Sequence, residues 1–421
     1  MPQPFTFVHC ADLHLDSPFE GLRAVDPQMG ALLRDATFQA FDQVINLAVQ
    51  AGADFIVVAG DVYDGEDRSL RAQLRFRDSL ARAAAAGISC YVAHGNHDPL
   101  SGWEAGLEMP PGVHRFGGRE VERLEVRRGG ETLAHLFGIS FPIREVKENL
   151  AARFPQGDGP FAVGVLHANV GGDPDYDNYA PCTVDDLLRC RMDYWALGHI
   201  HTRRILRPER PLIVYPGNTQ GRSLREPGAR GCYLVRVDET GRAGAEFVAT
   251  DVVRWFSQAV DVAVLSTADD LLSALYGLKE EIRAAAEGRG VILRIELQGR
   301  GDLHALLRRL DLDRDLAALL RDGEGERPDF VYVESVRNRT RPPVDLAQRR
   351  LVQDFVGDFL NAAEDLRQGE DPEAALREFL IKRPESKAMV RQLEQLNLAD
   401  LQEILKDAET LGLDLLLPEE G

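Results

Sequence analysis

The chain predicts an α/β fold. Two mixed β-sheets lie with helices outside them, followed by a smaller α/β domain and a helical C-terminal segment. Three observations predict it. The first half alternates short apolar runs with long Ala/Leu-rich stretches, the pattern of parallel strands joined by helices. From Val113 to Gly138 and from Arg203 to Val248 it changes to short strands divided by turns. A length of 421 residues gives room for two or three domains.

In order, Phe5–Cys10, Asp54–Gly60, Ile88–Ala93, Phe161–His167 and Asp193–Gly198 read as buried strands. Arg34–Ala51 and Ser69–Ala86 are long and Ala/Leu-rich enough to be the helices between the first three. "VERLEVRRGGETLAHLFG" is typical of the strand-turn-strand part, and "GRAGAEFVATDVVRW" leads out of a first domain of residues 1–250. Residues 256–340 hold strand-like "QAVDVAVL", a helix from Asp269 to Glu287, "VILRIELQG", a further helix and "PDFVYVESV", a small α/β domain. The prolines of "RTRPP" at 339–343 mark the next boundary. Residues 345–421 carry apolar residues at helical spacing.

The composition is 44% hydrophobic and 28% charged, that of a soluble globular protein. No apolar run nears the roughly 18 residues of a membrane span, and no secretory signal is visible. Five scattered cysteines without a CxxC pair suit reduced thiols, so the expected location is cytoplasmic. The net charge of −19 argues against a nucleic-acid partner taken whole. Its distribution softens this: residues 343–421 alone hold 18 Asp and Glu against 9 Lys and Arg.

The chemistry lies after the strands. Phe5–Cys10 leads into "ADLH", Asp54–Ala59 into "GDVYD", and Ile88–Ala93 into "HGNHD"; the fourth strand ends on His167 and the fifth leads into "GHIH". Each cluster therefore sits at the carboxyl end of a strand, where α/β sheets assemble ligand sites. Asp12 and His14 are two apart, as are His199 and His201, so each pair shares a face of extended backbone. Asp12, His14, Asp61, Asn96, His167, His199 and His201 exceed what one divalent ion can use, but two ions can share them if one carboxylate bridges. Mixed N/O donors without thiolate suit manganese, iron or zinc better than calcium or magnesium. Such a centre stays electropositive and would bind an oxyanion such as a phosphoryl group.

Structural alternatives stand beside each motif. A lone D-x-H is weak, "GNHD" alone can be a turn that Gly95 permits, and a lone His167 can be a satisfied core histidine. His9 and His94 read as strand-end packing or as outer hydrogen-bonding groups. Five clusters in order, each at a strand end, weigh against coincidence.

The run "DLH … GDVYD … GNHD … H … GHIH" resembles the calcineurin-like metallophosphoesterase superfamily over about residues 5–250. "HCADLHLDSPF" and "YPGNTQGRSLREPGARGCYLV" further resemble the YhaO-type DNA repair exonucleases, relatives of the SbcD-type nucleases. The resemblance implies a four-layer sandwich, with 256–340 as a capping and DNA-guiding domain. It makes Asp12, His14, Asp61 and His201 ligands of one metal, with Asp61 bridging to a second held by Asn96, His167 and His199. It makes His97 the catalytic histidine. Asp64 matches the residue that orients that histidine in the wider superfamily, whereas SbcD-type nucleases usually carry a His there. On this reading Asp64 would raise the pKa of His97 and keep it charged.

The leading expectation is a manganese-dependent DNA nuclease. A phosphatase or phosphodiesterase on a small molecule or protein is the first alternative, and a catalytically silent scaffold the second. The extra domains favour a polymer substrate, and the intact ligand set argues against a scaffold. Arg337, Arg339 and Arg341 alternate and could contact backbone phosphates; the alternative is a solvated edge strand. No GxxxxGK[ST], GxSxG or HExxH motif is present, so ATP use would come from a partner. The acidic tail, with Leu393, Leu396, Leu398, Leu401, Ile404 and Leu405, reads as a docking element or as simple packing on its own domain. The resemblance suggests an SMC-like coiled-coil ATPase as partner, and a homodimer is compatible with it.

Overall fold

A computed structural model describes residues 3–19, 26–65, 69–325, 327–369, 371–381 and 397–416. They form two compact units: Met1–Ser257 with Ile282–Leu293 and Gly323–Glu334, and Gln258–Glu281 with Arg294–Asp322 and Ser335–Gly421.

The first unit opens with β1 (Phe5–Cys10), α1 (Pro27–Gln50), β2 (Phe55–Ala59), α2 (Leu70–Ala85) and β3 (Ser89–Ala93). α1 begins seven residues before the expected Arg34. Pro27 occupies the first helical position, and the Asp26 carboxylate accepts from the backbone N–H of Gln28 and Met29, a start that apolar spacing does not reveal. Ser69 caps α2 at Ala72 N. Then follow β4 (Val113–Arg115), β5 (Glu122–Arg128), β6 (Glu131–Gly138), β7 (Ala162–His167), α3 (Val184–Arg189), β8 (Tyr194–Gly198), β9 (Arg204–Arg207), β10 (Leu212–Tyr215), β11 (Gly231–Val237) and β12 (Ala243–Ala249).

They make two mixed six-stranded sheets, ordered β12-β11-β1-β2-β3-β4 and β5-β6-β7-β8-β10-β9. β1 to β4 are parallel, as are β6, β7, β8 and β10; the remaining pairings are antiparallel. Side-chain alternation builds the layers. Phe5, Phe7, Val163, Val165, Tyr194 and Ala196 meet between the sheets. Val8, Cys10, Ile56 and Val58 face outward to Phe38, Phe41 and Val44 of α1 and Phe76 and Leu80 of α2. Trp195 and Leu197 turn the other way, with Leu187 of α3. The four layers are helix, sheet, sheet and an outer cover on the second sheet.

This packing matters because it aligns the carboxyl ends of β1, β2, β3, β7 and β8. His9 falls on the inner face of β1, where its Nδ1 meets Tyr194 Oη at 2.9 Å and its Nε2 the Leu197 carbonyl at 3.2 Å. Burial drives its pKa down to about 3. His94 pairs through Nδ1 with the buried Asp98 at 2.8 Å. All five cysteines are free and buried.

A third sheet, of parallel strands, has the order β13 (Val253–Asp261), β14 (Gly290–Arg300) and β15 (Val331–Arg341), with α4 (Ala268–Ala285) and α5 (His304–Arg309) in its connections. β13 starts earlier than "QAVDVAVL", because Val253 and Trp255 are buried with Met29 and Leu33 of α1, Phe330 and Tyr332. In the second unit, α6 (Leu346–Arg350), α7 (Phe355–Gln368), α8 (Pro372–Ile381) and α9 (Leu398–Leu416) follow β15. Leu413 of α9 packs on Val356 and Leu360 of α7. The buried Glu409 meets Arg350 at 3.4 Å and Arg367 at 2.7 Å, which ties α9 to α6 and α7. Leu401 is buried, Leu398 and Leu405 are half-buried and Ile404 is exposed, while Leu393 and Leu396 lie outside the described residues.

Candidate metal centre

The loops at the strand ends bring all seven expected ligand residues together. Asp12, His14 and His201 have donor atoms within 4.8 Å of one another, as do Asp12, Asp61 and His167. Asp61 Oδ2 lies 3.4 Å from His167 Nε2 and 3.9 Å from His14 Nε2, between the two groups. Asn96 Oδ1 sits 3.0 Å from His167 Nε2 and 3.1 Å from His199 Nδ1. His14 Nε2 and His201 Nε2 face each other at 3.1 Å.

Backbone strain concentrates here. Asp12, His14, Asp61 and His199 have φ of 52°, 44°, 50° and 101°, a region in which each non-glycine residue costs about 1 kcal/mol or more. Such strain survives where the surroundings dictate it, and it bends each strand end so that its side chain turns inward. The motif glycines answer a different need from the expected one. Gly95 has no left-handed φ; a Cβ there would lie 2.3 Å from Asp61 Oδ1 and 2.7 Å from His167 Nε2. At Gly198 a Cβ would lie 1.9 Å from the Ala59 carbonyl. Gly95 and Gly198 leave room for neighbouring chain and ligand groups rather than supplying a left-handed turn, whereas Gly60, at φ 97°, does both. Gly95→Ala is therefore expected to weaken metal binding about 10–100-fold, the span for losing the support of a ligand. Metal content of the purified variant checks it; wild-type content would contradict it.

Each imidazole has one nitrogen on an outer acceptor. His14 Nδ1 meets Asp64 Oδ1 at 3.1 Å and His201 Nδ1 meets Glu226 Oε1 at 2.7 Å. His167 Nδ1 faces the Ala59 carbonyl at 3.0 Å and His199 Nε2 the Asp177 carbonyl at 2.7 Å. An N–H donated outward leaves the opposite nitrogen to offer its lone pair inward, the arrangement that metal-ligating histidines show. Burial drives His14 down to about 3 and His199 to about 4, favouring the neutral ring a cation needs. Burial opposes charge on His167 as well, but the Asp61 and Asp12 carboxylates outweigh it and push it up to about 9. Burial also raises Asp61, yet His167 beside it holds that carboxyl well below the usual range. Two buried carboxylates, an amide oxygen and four oriented imidazoles, with no thiolate among them, fit a pair of divalent cations.

His97 is 34% exposed and lines a cavity of about 310 Å³ together with Asp61, Asn96, Tyr176, His199 and His201. Its backbone N–H donates to Asp61 Oδ1 at 2.9 Å. Its Nδ1 lies 3.5 Å from Asp64 Oδ1. Asp64 is not devoted to His97: it also meets His14, Ser17 at 2.9 Å and Arg222 at 2.9 Å, all closer. Arg337, Arg339 and Arg341 lie on β15 in the second unit, whereas the centre is in the first. Arg337 has no side-chain ion pair or hydrogen bond among the described residues; Arg339 is 3.7 Å from Glu296, and Arg341 meets Asp407 at 3.2 Å.

Several groups have positioning roles that the motifs do not assign. Asp98 accepts from Gly95 N at 2.7 Å and Val62 N at 2.9 Å, joining two motif loops. Asn169, buried two residues after His167, binds the backbone of Asp173, Tyr176 and Asp177, and so holds the carbonyl that orients His199. Glu226 and Arg222 lie in "GRSLRE", where the sequence offers family likeness but no role.

The double sandwich, with a His/Asp centre at its strand ends, defines a metallophosphoesterase. Residues 5–203 match the calcineurin-like phosphoesterase family and residues 255–341 the metallophosphoesterase YhaO middle domain; the chain belongs to the calcineurin-like metallophosphoesterases. It is 39% identical to the uncharacterized metallophosphoesterase YhaO of Bacillus subtilis over 81% of this chain and 83% of that one. It is 29% identical to the DNA double-strand break repair protein Mre11 of Archaeoglobus fulgidus over 52% of this chain and 51% of that one. With the SbcD component of the Bacillus subtilis nuclease SbcCD the identity is 26%, over 52% of this chain and 63% of that one. Among the described residues, no helix is long and apolar enough to cross a membrane.

Proposed function

We propose that this chain is a manganese-dependent DNA nuclease of the cytoplasm, hydrolysing phosphodiester bonds in DNA repair. The observation that carries the phosphodiester chemistry is the set of four inward-facing imidazole nitrogens around Asp12, Asp61 and Asn96. In this reading Asp12, His14, Asp61 and His201 hold one ion, and Asp61, Asn96, His167 and His199 the other. The DNA substrate is supported by the names of the Mre11 and SbcCD relatives.

When bound, two divalent ions supply Lewis acidity toward a phosphoryl oxygen and acidify water. The chain does the rest. Asp61 keeps the two sites at a fixed spacing, and the buried loops exclude bulk water from their inner side. His97, with Nδ1 toward Asp64, presents Nε2 to the cavity, where it can give a proton to the leaving oxygen or hold the phosphoryl group. Exposed Arg337 and its neighbours Arg339 and Arg341 are the proposed backbone-phosphate contacts. The apolar side chains Leu351, Phe355, Leu411 and Leu415, all more than half exposed, support docking of an SMC-like ATPase on the helical segment.

A second reading has its own observation. Asp175 and Asp177 stand on the cavity wall, and carboxylates there favour a small phosphodiester over a polyanion. One assay separates the two. With manganese, the full chain is expected to degrade DNA and to hydrolyse a nitrophenyl phosphodiester, both lost on chelation. A chain ending near Arg341 is expected to keep ester hydrolysis and lose binding to the ATPase. Hydrolysis of small esters with DNA untouched would select the second reading.

A further inference from the structure

We propose that Arg222 is a positioning residue for one of the two cation sites: by engaging both Asp64 and Glu226, it fixes the carboxylates that orient His14 and His201. The inference rests on the two-ion reading of the centre and deepens it. The Arg222 backbone N–H donates to Glu226 Oε2 at 2.7 Å, and Nη1 donates to Asp64 Oδ1 at 2.9 Å and Ser17 Oγ at 3.3 Å. Nη2 lies 3.9 Å from Glu226 Oε1, the oxygen that faces His201. Asn218 Nδ2 donates to the other Glu226 oxygen at 2.8 Å.

The centre is asymmetric as a result. His14 and His201 are oriented by side-chain carboxylates, and Arg222 spans both. His167 and His199 are oriented by the backbone carbonyls of Ala59 and Asp177, which Arg222 does not touch. A carboxylate on a rotatable side chain needs a second anchor to hold an imidazole in one tautomer and direction; a carbonyl in the chain does not. Charge gives a second reason. Asp12, Asp61, Asp64 and Glu226 would together cancel two divalent ions, and the guanidinium restores one positive charge beside the site of an anionic phosphodiester. Nη1 and Nη2 sit at a fixed spacing and face Asp64 and Glu226 respectively, which a single ammonium on a flexible stem does not reproduce, so lysine is a poor substitute.

The test is titration of the metal-free full-length protein with Mn²⁺, following free ion by electron paramagnetic resonance. Wild type is expected to bind two ions. Arg222→Gln is expected to keep one with near wild-type affinity and to lose about 10–100-fold in affinity for the other. Arg222→Lys is expected to fall between. Two ions bound by Arg222→Gln with unchanged affinity, or both weakened alike, would overturn the assignment. Fewer than two ions on wild type would instead overturn the two-ion reading itself. Melting of the metal-free variants reports folding. If Arg222→Gln does not fold, Arg222→Lys decides, and wild-type affinity for both ions there overturns the proposal.

Discussion

Asp61→Asn is expected to lose both ions and to lower phosphodiester hydrolysis on the order of 10³-fold or more, the several kcal/mol that a metal pair supplies. Asp61 places one carboxylate oxygen between the two groups of imidazoles, facing His14 and His167. Its other oxygen receives the His97 N–H, so the substitution also loosens the loop that carries His97. Asparagine keeps the size but removes the charge both sites share. Asp12→Asn is expected to be milder. Asp12 belongs to both donor groups, whereas Asp61 belongs to one and stands 3.9 Å from His14, but Asp12 also accepts from His199 N at 3.0 Å, a bond that an amide oxygen can still receive. Metal content beside rate for the two variants is the measurement. Equal residual activity, with both ions retained in Asp61→Asn, would show that Asp61 does not bridge.

His97→Ala is expected to keep both ions and lose roughly 10²–10⁴ in rate on DNA, the span for a positioned proton donor. A nitrophenyl phosphodiester, whose leaving group needs no protonation, is expected to recover part of that loss. The structure separates His97 from its neighbour Asp64. Since Asp64 lies closer to His14 than to His97, Asp64→Asn is expected to lose metal as well as rate, rather than to mimic His97→Ala mildly. Loss of an ion from His97→Ala would make that histidine a ligand and overturn its assignment.

The strand-end clusters were legible because the seven expected ligands sit on five motifs, each next to an apolar run. Order along the chain then fixes which sheet edge it reaches. The strands were legible for a similar reason: Phe5–Cys10 and Tyr194–Gly198 are short, mostly apolar runs buried almost throughout, and such a run is a local property. The start of α1 was not, because it depends on a cap and a proline rather than on periodicity. The tail shows the limit from another side. Its leucines have helical spacing, but spacing cannot say that Leu413 would pack on Leu360 while Leu411 and Leu415 stay exposed.

By itself, then, the sequence determined which residue types reach one edge of the sandwich, since covalent order and strand direction place them there. Only the tertiary structure decided how they are held. Asp64 divides itself among four partners, Arg222 reaches it from 158 residues along the chain, Glu226 supports His201 from 25 residues away, and Gly95 is there to admit Asp61 and His167. These are contacts across long sequence separations, whose geometry depends on sheets closing upon one another, and no local pattern encodes them.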